Sequence, residues 1–113
     1  MTAQKSISDL NNFARAYVAA LYFTDAGDGI TNDSELSQSA IEQIEADCAK
    51  FELLAHEHSQ QAAHDFWLTR NGHGAGFWDG DWPEPQATTL DNIAKRFGQC
   101  VAYLGDDGLI YLS

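Results

Sequence analysis

The stretch FWLTRNGHGAGFWD, residues 66–79, decides how this chain is read, because it gathers two of the three tryptophans, three glycines, an arginine and a histidine. Asn71-Gly72 is a favoured pair for a two-residue turn with positive φ, and strand-forming residues flank it on both sides. The pattern predicts a β-hairpin over about 65–79. With a two-residue turn, Phe66, Leu68, Ala75 and Phe77 share one face with Arg70 and His73 at its tip, while Trp67, Trp78, Gly74 and Gly76 share the other. The bare glycines would then make room for a cross-strand tryptophan. Arg70 and His73 are left over by that explanation. Together with Asp79, Asp81 and Trp82 they form a candidate ligand or anchor site.

Working outward, Leu10, Phe13, Ala14, Tyr17, Val18 and Leu21 recur at helical spacing and predict a helix over about 8–24 with Ser8 as its N-cap. A second helix is expected over about 34–61, with Leu36, Ile41, Ile44, Cys48, Phe51 and Ala55 on one face. A third, about 88–97, has Thr88 and Asp91 at capping-box spacing, Leu90, Ile93, Ala94 and Phe97 as its apolar face and Gly98 as its stop. The terminal CVAYLGDDGLIYLS reads as a second hairpin, about 100–112, around a GDDG turn. The order is helix, helix, hairpin, helix, hairpin. Hairpins cannot bury their apolar faces alone, so the expected fold is a single α+β domain over 1–113, its helices packed on a small antiparallel sheet made of the two hairpins.

The chain has 113 residues, enough for one core but not two, and 44% hydrophobic residues, enough to offset the entropy of ordering. Seventeen Asp and Glu against six Lys and Arg give a net charge of −11. Direct binding to nucleic acid or to an anionic membrane is disfavoured, because no basic patch exists to release counterions. A basic partner suits this charge. Glu35, Glu42, Glu45 and Glu52 step by seven, three and seven residues along the second expected helix, a regular stripe of carboxylates. The plain explanation is a solvated face; the functional one is a surface that imitates the charge of a nucleic-acid strand. The polar N-terminus and the lack of a long apolar run predict neither export nor a membrane span. Cys48 and Cys100, far apart, read as buried hydrophobes in a reducing, cytoplasmic compartment.

No cofactor or metal is expected. His56 and His58 point to different helix faces, and no CxxC pair exists. The run TDAGDGITNDSEL resembles a calcium loop only at Asp28, Gly29 and Glu35; Thr24 and Ala26 occupy ligand positions, so a turn-rich linker is expected. Without GxSxG, HExxH or P-loop patterns no catalytic residue is assigned, and the balance lies against an enzyme. The alternative is a small-ligand or nucleotide-binding protein, or an enzyme, at the glycine-rich tip. There the amides of RNGHGAG and Arg70 can cradle a phosphate, and His73 with Asp79 or Asp81 can form an acid/base pair.

HDFWLTRNGHGAGFWD, IEADCAKF and YLGDDGLIYL together resemble a widespread family of small acidic accessory proteins of tailed bacteriophages and prophages, over most of the region 41–112. That resemblance implies a setting, the cytoplasm of a bacterial host cell, and carries no catalytic residues. In that setting small acidic proteins often block host enzymes that act on DNA. The resulting expectation is a non-enzymatic protein that inhibits a host nucleic-acid-processing or defence protein, of the anti-restriction or anti-CRISPR type. It would do so through the acidic face of Glu35, Glu42, Glu45 and Glu52, on a partner's basic, nucleic-acid-binding surface. A virion assembly accessory is the other alternative, and the sequence does not set the oligomeric state.

Overall fold

The computed structural model describes residues 6–24, 30, 34–71, 76–77 and 82–113. A single 3-10 turn, Ile7–Asp9, precedes helix α1 (Asn12–Thr24). The expected start at Ser8 is therefore displaced: Asn11 is the cap, its side-chain Oδ1 accepting the Ala14 amide at 2.9 Å. Phe13, Ala14, Tyr17, Val18, Ala20 and Leu21 form its buried face.

The long helix expected over 34–61 is broken. Leu36 lies before it, in an isolated parallel bridge with Ile110. Helix α2 (Gln38–Ala55) begins where Ser37 Oγ accepts the Ala40 amide. It ends at His56, which takes a left-handed conformation, φ 52°. Ser59 then caps a new helix, α3 (Gln60–Arg70), by accepting the Ala62 amide.

Helix α3 overturns the hairpin expected over 65–79, since Phe66–Arg70, its supposed first strand, is helical. Asn71 closes the helix as its C-cap, its Nδ2 donating to the Trp67 carbonyl at 3.0 Å. Its Oδ1 accepts the Cys100 amide at 2.8 Å, which ties the end of α3 to the terminal hairpin. The physical reason is burial: every residue from Asp65 to Arg70 is buried, so β-prone side chains pack into the core from a helix. Of the stretch that follows, Gly76 and Phe77 are described. Gly76, at φ 116°, sits so close to α3 that a Cβ there would collide with Thr69 Oγ1. The Phe77 amide donates to that same Thr69 Oγ1.

Helix α4 (Gln86–Arg96) starts two residues before the expected Thr88. Thr88 and Asp91 make no capping box: Thr88 bonds Glu84 through its amide and hydroxyl, while Asp91 turns inward. Gly98, at φ 75°, ends the helix as expected, its amide returning to the Lys95 carbonyl. Strands β1 (Ala102–Leu104) and β2 (Ile110–Leu112) pair antiparallel with Tyr103 opposite Tyr111, so the terminal hairpin forms. Ile110 also donates to the Glu35 carbonyl and accepts from the Ser37 amide, anchoring the hairpin at the start of α2.

The molecule is mostly helical, with a small two-stranded antiparallel sheet, consistent with an α+β class; the hairpin expected over 65–79 is not seen among the described residues. Its core is a cluster of rings between helices. Phe51 of α2 stacks on Phe66 of α3 at 4.3 Å, on Phe13 of α1 at 5.8 Å and on Phe77 at 6.0 Å. Truncating Phe51→Ala should cost about 3–5 kcal/mol of unfolding free energy. Phe23→Ala, at a position 80% exposed, should cost almost none in the same urea titration.

Candidate functional site

Arg70, the leftover of the sequence, does not reach solvent. It is the last residue of α3, 7% exposed, and its guanidinium lies 5.5 Å from the Phe66 ring centroid and 5.6 Å from that of Phe97. Four of its five N–H donors are committed to other elements. Nη1 reaches Tyr17 Oη of α1 at 3.1 Å and Asp47 Oδ2 of α2 at 3.0 Å. Nε donates to the Gly98 carbonyl at 2.8 Å and Nη2 to the Phe97 carbonyl at 3.1 Å, so Arg70 satisfies the carbonyls that the end of α4 leaves open. Burial opposes the charge, yet the contacts to Tyr17 and Asp47 more than offset it and hold the guanidinium pKa above its ordinary value. Burial pushes the Tyr17 phenol well above its usual range, with Arg70 pulling the other way. Arg70 is thus a structural clamp, which removes it from the ligand tip in which the sequence placed it.

His73, Asp79 and Asp81 lie outside the described residues, as does the segment 25–33 apart from Ile30. Trp82 is described and is no free anchor: it is half-buried, its ring edge-on to Phe77 at 5.6 Å and its Nε1 donating to Asp65 Oδ2 at 2.7 Å. Asp65, 2% exposed, also accepts from Gln61 and contacts His64 Nδ1 at 3.2 Å. Trp67 is buried, with its indole donating to Thr24 Oγ1. Cys48 and Cys100 are buried and unbridged, and burial raises the Cys48 thiol pKa far above normal, which makes it a poor nucleophile. Among the described residues no group of three or more His, Cys, Asp or Glu side chains is disposed to hold a metal ion, and no helix is long and apolar enough to cross a membrane.

The four glutamates are only partly brought together. Glu35 is exposed but precedes α2, where its backbone bonds β2. Glu42 is exposed on α2, and Glu45 and Glu52 are half-buried on it. Glu52 is engaged on both oxygens, with Asn11 Nδ2 at 3.2 Å and His58 Nδ1 at 2.7 Å. Asp9, which the sequence reading passed over, joins this side. It stands with Glu45 at a cleft of about 180 Å³ between the start of α1 and α2, whose other walls are Leu10, Asn11, Ala14, Cys48 and Ala49.

The sequence reading also missed Asp65 and Asp91 as interior carboxylates and the half-buried Asp47 as the partner of Arg70. Asp91 is 2% exposed; its Oδ2 lies 2.9 Å from Lys95 Nζ, and its Oδ1 has no hydrogen-bond partner. The spacing of Asp91 and Lys95, four apart, was the only signal that marked one of these pairs. Comparison with protein-family models, with curated proteins and with solved structures finds no match.

Replacing Arg70 should unfold rather than disarm. Arg70→Met strands Asp47, the Tyr17 hydroxyl and two carbonyls, and should cost about 3–5 kcal/mol in chemical denaturation. Arg70→Lys should recover only part of that loss, since an ammonium cannot reproduce the planar fork.

Proposed function

We propose that this chain is a non-enzymatic binding protein that docks an acidic surface onto a basic, nucleic-acid-binding surface of a bacterial host protein. Its setting is the cytoplasm of a phage-infected or lysogenic cell, and its action is to inhibit that host protein, as anti-restriction and anti-CRISPR proteins do. The observation that carries this reading is the distribution of charge. The chain carries a net charge of −11, and Asp9, Glu42, Glu84, Asp106 and Asp107 stand exposed, while Arg70, Asp65 and Asp91 are withdrawn into the core. Such a surface speeds encounter with a basic partner and selects for it.

The side formed by α2 and the start of α1 supports a more specific reading. Asp9, Asn11 and Glu45 line a cleft together with Leu10, Ala14, Cys48 and Ala49, so that polar and apolar groups share its walls, and Glu42 lies one turn away along α2. This suits an inserted lysine or arginine, whose methylene stem is apolar and whose head is cationic. Glu35 and Glu52 are secondary in this reading, one because it lies off the helix and the other because it does not line the cleft. The resemblance to phage and prophage accessory proteins supports the cellular setting and adds nothing to the chemistry.

The test is capture from bacterial lysate at low ionic strength, elution by a salt gradient, and competition by duplex DNA. The wild-type protein should retain a nucleic-acid-binding protein that DNA displaces. Glu42→Lys with Glu45→Lys should abolish retention while leaving the thermal midpoint within a few degrees, as surface substitutions do. Retention of the same protein by the reversed variant, with unchanged salt dependence, would reject the acidic-face reading. Self-association without any captured protein would favour a virion assembly role instead.

A further inference from the structure

The six basic residues are not scattered. Lys50, Arg70 and Arg96, half of them, converge on one region between α2 and the end of α4, on a chain whose charge is otherwise strongly negative. There a cleft of about 450 Å³ is lined by Asp47, Lys50, Leu54, Arg96 and Phe97. Its size falls within the range of small-molecule sites. Asp47, Lys50 and Leu54 recur at helical spacing along one side of α2, so one helix supplies one wall and the α4 terminus the other.

The charges in the cleft do not cancel. Asp47, its only carboxylate among the described residues, is paired at 3.0 Å with Arg70, which lies against the Phe97 ring and carbonyl. Lys50 and Arg96 are exposed, and among the described residues neither has a carboxylate partner. Lys50 Nζ instead lies 5.8 Å from the Phe97 ring centroid. Leu54, 45% exposed, and the half-buried Phe97 add apolar surface that water covers poorly. Two uncompensated cations beside an aromatic ring and an aliphatic side chain describe a particular ligand chemistry.

We infer that this cleft binds a small organic anion with a flat apolar body, such as an aryl carboxylate, its anionic group held by Lys50 and Arg96 and its apolar part lying against Leu54 and Phe97. Arg96 presents the planar fork suited to a carboxylate or phosphate, and Lys50 a second point charge. The site lies apart from the Asp9, Glu42 and Glu45 side, so it stands or falls independently of the function proposed above.

The test is a titration of the isotope-labelled protein, followed by amide chemical shifts, with naphthalene carboxylate, its neutral carboxamide and inorganic phosphate as probes. The carboxylate should saturate shifts confined to residues around Lys50, Leu54, Arg96 and Phe97. It should bind more tightly than either the carboxamide or phosphate. Lys50→Gln with Arg96→Gln, two exposed changes, should weaken the carboxylate by about tenfold or more, each lost contact being a hydrogen bond to a charged group. Equal binding of the carboxamide, equal binding of phosphate, unchanged binding by the double variant, or shifts spread over the whole protein would each overturn the inference.

Discussion

One guanidinium joins the four helices. Arg70 leaves α3, bonds Tyr17 of α1, pairs with Asp47 of α2, and takes the Phe97 and Gly98 carbonyls that follow the last turn of α4. The rings of Phe66 and Phe97 keep water from it, so each of these bonds is stronger than on a surface and its loss leaves a buried group unsatisfied. The aromatic cluster around Phe51 supplies the bulk of apolar burial, but it is nondirectional. Arg70 fixes how the helices meet, because its fork accepts one arrangement of Tyr17, Asp47 and two carbonyls.

How far the fold was legible depended on how each segment buries its side chains. Helices α1, α2 and α4 each have one apolar side and one wet side, so their periodicity survives in the sequence. The terminal hairpin shows its alternation and its turn, where Gly108 at φ 81° and Asp107, which accepts from the Leu109 amide and the Tyr111 hydroxyl, shape the tip. Helix α3 is buried on nearly every side of its last two turns, so no polar stripe marks its period. Its aromatic and β-branched residues then imitate a strand. The break at His56 had one local sign, Ser59 in capping position, which the continuous apolar pattern from Leu36 to Ala55 concealed.

The same distinction governs the candidate site. Arg70 was legible as an anomaly, but its partner Asp47 lies 23 residues away in sequence and its carbonyl acceptors 27 and 28 away. No spacing rule links such residues. Charge was legible in total and only partly in place. Glu42 and Glu45 remain on one helix, Glu35 falls outside it, and Asp9 enters by the packing of α1 on α2. Convergence of Lys50 and Arg96 near Phe97 sets a small basic cleft apart from the acidic side of Asp9, Glu42 and Glu45.

The most direct test of the account is the side-chain Nε–H signal of Arg70 by nuclear magnetic resonance. A buried clamp predicts a resolved resonance, protected from solvent exchange, with through-space contacts to the protons of Tyr17 and Phe97 and helical contacts along Phe66–Arg70. An Arg70 signal that exchanges as in a free side chain, with cross-strand contacts along that stretch, would contradict the clamp and the helix that carries it.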